Sequence, residues 1–187
     1  MPHQQTKLIL GLVGEIASGK DTVAAYLKKN YRSETVSFSQ PIRDILDRLY
    51  LPQTRTNMSE LGIGLRQTFG QDLLSKVIAE EVKNSQQKIV SLPNVRLASD
   101  LIYLKKLPGF YLIHIDTEQK TRFQRLKKRT QNADDQNKTW PEFLRDSRLP
   151  TETKIRHLAK KARYQLDNNG SFSQLYRQIN ELIKKIR

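Results

Sequence analysis

Apolar and polar positions along this chain follow two alternating periods. The run Lys7-Leu8-Ile9-Leu10-Gly11-Leu12-Val13 is almost continuously apolar, as expected of a parallel strand buried on both faces. From Lys20 the period lengthens, and Val23, Ala24 and Leu27 fall on one side of a helix that fades near Asn30. A short second strand is expected at "TVSF", 35–38, followed by Ile42, Ile45, Leu46 and Leu49 on a core-facing helical stripe that Pro52 closes. Helices are expected over 61–69 and 73–82, the second turning Leu73, Leu74, Val77 and Ile78 inward, with a third strand at "KIVSL", 88–92. Residues 98–107 read as a helix that stops at Pro108-Gly109, and "FYLIHI", 110–115, as a fourth strand. Asp116-Thr117 then caps a basic helix from Glu118 to Arg129. The stretch 130–150 is polar, carries Pro141 and Pro150, and reads as a mobile excursion. A helix at about 151–162, a short fifth strand near "RYQLD" and a turn at Asn168-Asn169-Gly170 follow. The last helix is marked by Phe172, Leu175, Ile179, Leu182, Ile183 and Ile186 on one face.

Strands that alternate with helices imply parallel strands joined by right-handed crossovers, hence a three-layer α/β domain. The 187 residues suit one domain, 1–187, rather than two. Ligands in such folds sit beyond the carboxyl ends of the strands. No apolar run approaches the roughly 18 residues that a spanning helix needs. The absence of cysteine excludes disulfides and thiolate metal sites, and with no basic, cleavable leader at the N-terminus it predicts a cytoplasmic protein without a membrane partner. Lys and Arg exceed Asp and Glu by 33 to 19, a formal charge of +14, which favours anionic partners such as nucleotides, coenzymes or nucleic acid.

The first strand leads into "GLVGEIASGKDT", whose frame Gly14-x-x-x-x-Gly19-Lys20 follows a strand and opens a helix. Glycines let such a loop turn several backbone N–H groups inward in front of a helix dipole, and the lysine reaches the outer phosphates as a mobile charge. Gly14, Glu15, Ile16, Ala17, Ser18, Gly19, Lys20, Asp21 and Thr22 are therefore expected to bind ATP. Asp21 stands where a hydroxyl residue usually holds magnesium; a carboxylate is also a hard oxygen ligand, so Asp21 and Thr22 are the candidate Mg²⁺ ligands. Arg122, Arg125 and Arg129 fall on one helical face, from which planar guanidinium groups can clamp phosphate oxygens. Arg148 is a weaker candidate of the same kind.

"GLVGEIASGKDTVAAYL" resembles the opening of P-loop nucleotide kinases, particularly deoxynucleoside monophosphate kinases, dephospho-CoA kinases and their relatives. "FSQPIRDIL" (38–46) and "LRQTFGQDLLSKVI" (65–78) resemble the acceptor side of deoxynucleotide kinases. "DTEQKTRFQRLKKR" (116–129) is similar to the helix that leads into their lid, and "LDNNGSFSQLYRQINELI" (166–183) to the closing segment of dephospho-CoA kinases. The resemblance implies a P-loop NTPase fold of the nucleoside monophosphate kinase type, with a five-stranded parallel sheet, an acceptor-binding helical region at about 40–85 and a helical lid at about 128–150. It implies γ-phosphoryl transfer from ATP to a small phosphorylated acceptor, with Lys20, Arg125 and Arg129 catalytic. Adenine is expected near Arg125 and the Asn168–Gly170 turn, with Asn169 and Gly170 as its contacts, and the acceptor near Ser39, Arg43, Arg66, Gln67, Asp72 and Arg96. One departure stands out: these kinases commonly end the third strand in an Asp-Gly pair that helps hold Mg²⁺, and here Pro93-Asn94 take those positions, leaving Asp21, Asp100 or Asp116 to substitute. Two other readings stay open, a dephospho-CoA kinase and a nucleotide-dependent RNA-binding protein with little turnover.

Overall fold

A computed structural model describes residues 6–128 and 136–187. Five parallel strands form one sheet in the order β2-β3-β1-β4-β5. The strands are β1 (Leu8–Val13), β2 (Glu34–Thr35), β3 (Ile89–Leu92), β4 (Phe110–Asp116) and β5 (Tyr164–Asp167). All six residues of β1 are buried, and it lies between β3, through Ile9↔Val90, and β4, through Leu12↔Ile113. This central placement explains why its sequence lacks polar alternation.

Helices cover both faces, so the three-layer α/β reading holds. On one face α1 (Lys20–Tyr31) and α8 (Phe172–Ile186) pack onto Leu8, Leu10, Leu12 and Ile113 through Val23, Leu27, Leu175, Ile179 and Ile183. On the other, α2 (Gln40–Arg48), α4 (Leu73–Asn84) and α7 (Pro150–Ala159) meet Ile9, Val13 and Val90 through Ile42, Leu46, Ile78, Val82, Ile155 and Leu158. α3 (Arg55–Phe69) packs mainly on α2 and α4. Two further helices, α5 (Gln119–Lys127) and α6 (Trp140–Asp146), follow β4.

Four local expectations are corrected. β2 is two residues long rather than four, although Val36 still donates to Ser91 O (3.0 Å) and both Val36 and Phe38 enter the core. Residues 98–107 form two short 3-10 segments, Ala98–Leu101 and Leu104–Lys106, instead of one helix. The cause is Ser75 on α4: its hydroxyl donates to Asp100 O (2.8 Å) and accepts from Tyr103 N (3.1 Å), diverting two backbone groups from a helical ladder. Asp116-Thr117 do not cap α5. Its N-cap is Glu118, while Thr117 Oγ1 donates to Ser18 O (3.0 Å) and Asp116 accepts from Gln165 (3.0 Å). Finally, the core stripe of α8 begins at Leu175, because Phe172 is 62% exposed. Residues 130–135 of the expected excursion lie outside the described residues; within the rest, α6 buries Phe143 beneath Trp140 and Phe123, with ring centroids 5.2–5.6 Å apart.

Candidate functional site

β1 ends against the neighbouring strand so closely that residue 14 has no room for a side chain. A Cβ there would meet Ile115 O at 2.7 Å and Ser18 Oγ at 2.6 Å. The loop then passes through two left-handed residues, Ala17 (φ 60) and Gly19 (φ 97). Gly19 meets both constraints at once, since a Cβ would lie 2.1 Å from Asn168 Nδ2. Backbone turned in this way presents successive N–H groups to one side, and α1 starts at Lys20 immediately behind them. Lys20 Nζ folds back across the loop, donating to Gly14 O (2.7 Å), Glu15 O (3.0 Å) and Ser18 Oγ (3.4 Å).

The loop is held from behind by residues more than 90 positions away. Ser18 O accepts from Thr117 Oγ1 at the end of β4 (3.0 Å) and from Asn168 Nδ2 at the end of β5 (2.8 Å). Ser18, Thr117 and Asn168 are all buried. Asn168 N also donates to Asp116 O (2.8 Å), so the two strand ends and the glycine loop form one unit.

In front lies a cleft of about 290 Å³ lined by loop residues Ile16, Ala17 and Gly19 to Thr22, with Asn94, Arg96, Arg125, Asn168 and Phe172 around it. Arg125 Nη2 approaches Asn168 Oδ1 at 3.5 Å, Nη1 is buried without a hydrogen-bond partner, and burial lowers the guanidinium pKa. An unsatisfied buried donor at the edge of a cleft suits an anionic ligand. Asp21 is exposed and Thr22 half-buried, and both line the cleft beside Asn94. Their carboxylate, hydroxyl and amide oxygens are the donor set that Mg²⁺ takes together with water. The two proposed substitutes for the missing strand-end carboxylate point elsewhere. Asp100 is buried and accepts from Arg96 N (3.0 Å) and Leu97 N (2.9 Å), while Asp116 faces Gln165. Among the described residues lining the cleft, Asp21 is the one carboxylate.

The arginine face predicted on α5 divides. Arg125 reaches the cleft, and Arg129 lies outside the described residues. Arg122 is 2% exposed and turned inward, paired with Glu15 (3.1 Å) and donating through Nε to Thr117 O (3.1 Å). Arg148 is exposed and lines a second cavity on the other side of Glu15. Asn169 and Gly170 do not line the cleft. Asn169 Oδ1 accepts from Glu118 N (2.8 Å), and Gly170 sits over Gln174, which caps α8; of that turn Asn168 alone lines the cleft.

Of the acceptor candidates only Arg96 lines the cleft. Ser39 is the N-cap of α2 and shares a hydrogen bond with Ser37 (2.9 Å), and Arg43 donates to Gln53 (2.5 Å). Arg66 donates to Gly62 O (3.1 Å) with its Nε buried and unpartnered, and its charge acts on Asp100, which holds the Arg96 backbone. Gln67 is exposed on α3. Asp72 is the N-cap of α4 and accepts from Tyr103, which raises the tyrosine pKa. Sequence reading therefore missed Thr117 and Phe172. Local pattern assigned the first to a cap and the second to the core.

With the geometry in view, comparison with known proteins is informative. An AAA-domain family model, AAA_17, matches residues 13–140, and the chain belongs to that family. Two curated relatives are UPF0200 proteins of Methanocaldococcus jannaschii, 28% identical over 96% of this chain and 90% of its own length, and of Pyrococcus abyssi, 28% identical over 96% and 97%. Among solved structures, TT1252 from Thermus thermophilus superposes with a TM-score of 0.63 at 19% identity, covering 97% of this chain and 99% of that one. A shikimate kinase of Bacteroides thetaiotaomicron gives 0.63 at 13% identity over 96% and 98%. At these identities the structures establish the fold alone, the P-loop kinase fold.

Proposed function

We propose that the protein is an ATP-dependent phosphotransferase that moves the γ-phosphoryl group of ATP to a small phosphorylated acceptor, most simply a nucleoside or deoxynucleoside monophosphate. The observation that carries this reading is the glycine loop: a left-handed turn at Ala17 and Gly19, braced at Ser18 O from two strand ends, with Lys20 folded over it and Arg125 holding an unsatisfied donor at the cleft edge.

Phosphoryl transfer asks a protein chiefly to align donor and acceptor and to neutralise spread negative charge. In this reading Lys20 exchanges the carbonyls of Gly14 and Glu15 for the outer phosphates, while the loop amides and the start of α1 hold the inner ones. Asp21 and Thr22, with Asn94 beside them, would hold Mg²⁺ and its waters, which would supply neutralisation of charge on the phosphates. Arg125, with Arg129 from the lid region 128–150, covers the transferred group. The base lies on the exposed ring of Phe172, a surface on which any nucleobase can stack. Arg96 at the end of β3 is the acceptor-side cation, and the helical region 40–85 supplies the rest of that pocket.

The single carboxylate among the cleft's described residues favours a phosphate over a hydroxyl as nucleophile. A phosphate acceptor is already an anion, whereas a hydroxyl needs a general base within hydrogen-bond reach, and Asp21 is committed to the metal. A dephospho-CoA kinase activity is thus the second choice. The test is an ADP-release assay with a panel of nucleoside and deoxynucleoside monophosphates, dephospho-CoA, phosphomevalonate and shikimate. Turnover with a monophosphate supports the proposal. Turnover only with a hydroxyl acceptor reassigns the acceptor, and ATP binding without turnover on any member favours a nucleotide-dependent binding protein, in keeping with the +14 charge.

A further inference from the structure

Glu15 is the first variable residue of the glycine frame, a position whose side chain plays no part in phosphate binding by backbone N–H groups. Here its carboxylate bridges two helices. One oxygen meets Arg122 of α5 (3.1 Å) and the other Arg156 of α7 (2.8 Å). The neighbouring residue is gripped from the same two elements: Ile16 N donates to Glu152 of α7 (3.3 Å), and Ile16 O accepts from Arg122 (3.5 Å). Arg156 also donates to Ser147 O (2.7 Å) just after α6 and to Thr153 (3.2 Å), and α7 is fixed in the core by Ile155 and Leu158. Glu15, Arg122, Ser147 and Arg156 wall a cavity of about 380 Å³ between the loop, α5 and the α6–α7 corner.

We infer that Glu15 is a positioning residue, linking the first half of the phosphate loop to α7 through Arg156 and Glu152, so that nucleotide binding and the placement of α7 are coupled. The inference rests on the ATP reading above for its ligand, but the link itself is made of contacts within the chain. The two ends of the link differ in role. Arg122 is 2% exposed, so Glu15 neutralises a charge that would be costly to bury alone. Arg156 is 41% exposed, so its pairing is not required for folding and is free to transmit position. Because α7 follows directly on α6 and the polar stretch after α5, a change there reaches the loop amides through two residues. By reciprocity, a ligand that orders the loop orders α7 to the same degree.

The experiment is hydrogen–deuterium exchange on the full chain, wild type against Arg156→Met, with and without Mg²⁺-ATP, alongside calorimetry. Arg156→Met keeps the Glu15–Arg122 pair and therefore the fold; Glu15→Gln is the companion variant where it folds. In ligand-free protein, amide exchange over Ile16–Gly19 is expected to speed up about tenfold in Arg156→Met; equal rates overturn the inference whether or not ATP binds. In wild type, Mg²⁺-ATP is expected to slow exchange in both the loop and 150–158, whereas in Arg156→Met it slows the loop only, with a Kd raised about tenfold, a typical coupling. Equal protection of α7 in both proteins, or an unchanged Kd, contradicts the link. If wild type binds no ATP, the ATP reading fails, and the ligand-free exchange rates still decide the loop's dependence on Arg156.

Discussion

The glycine loop and the helical region proposed for the acceptor are built on different terms. On the nucleotide side every turn of the loop is over-determined: Gly14 and Gly19 have no space for a Cβ, and Ser18 O takes two hydrogen bonds from buried partners. In the region proposed for the acceptor, α2 and α3 carry Arg43 and Arg66 half-buried and bonded to near neighbours, Arg43 to Gln53 and Arg66 to Gly62 O. The same region leaves Leu49, Tyr50, Leu51, Ile63 and Phe69 exposed. A phosphate chain demands the same backbone cradle whatever it is attached to, so its site is rigid and local. An acceptor pocket must instead fit one molecule, and the residues proposed for it are dispersed over α2, α3 and the segment after β3.

That contrast is open to attack from several directions. The largest effect is expected from Gly19→Ala, which forces a Cβ to within 2.1 Å of Asn168 Nδ2 at φ 97. Strain and overpacking of about 3 kcal/mol should lower Tm by roughly 6–12 °C and abolish ATP binding; a normal Tm in differential scanning calorimetry would show the loop to be looser than described. Next is Phe172→Ala, for which loss of a stacked base is worth about 1–3 kcal/mol. ATP affinity should drop while inorganic triphosphate binds as before, and equal losses for both ligands would remove Phe172 from the base site. Asp21→Ala should weaken Mg²⁺-ATP about tenfold, near 1.4 kcal/mol, and leave metal-free ATP unchanged; parallel losses would reject Asp21 as a metal ligand.

The smallest effect concerns the corner that carries Arg96. Burial raises the Asp100 pKa, offset in part by the N–H groups of Arg96 and Leu97. A carboxyl whose folded pKa is raised contributes stability that is full below its unfolded pKa and declines as pH climbs through the folded value. Asp100→Asn keeps an oxygen acceptor and removes the titration. Wild-type Tm should therefore fall relative to the variant as pH rises from about 4, and parallel Tm–pH curves would show the carboxyl to be unperturbed.

Much of the fold was legible because burial writes itself into the sequence. The unbroken run of β1 and the stripe of α8 from Leu175 onward are consequences of packing on two faces and on one. The glycine loop was legible because its chemistry depends on consecutive residues. What could not be read depends on partners distant in sequence. Thr117 sits next to a helix start, as a cap does, and only the fold brings its hydroxyl to Ser18, 99 residues away. Arg122 shares a periodic face with Arg125, yet its guanidinium turns inward to Glu15 because that carboxylate, 107 positions earlier in the chain, is its counter-ion. Phe172 follows the apolar period of α8 but precedes the first turn that touches the sheet, so its ring is left at the cleft.

The central claim is that residues 14–22 hold the phosphates of ATP through Lys20. Isothermal titration of Mg²⁺-ATP into wild-type protein and into Lys20→Ala tests it most directly. Saturable binding to wild type is expected, with a loss of at least about 100-fold, near 2.7 kcal/mol, in the variant with its Tm little changed. Equal affinities in the two proteins would contradict it.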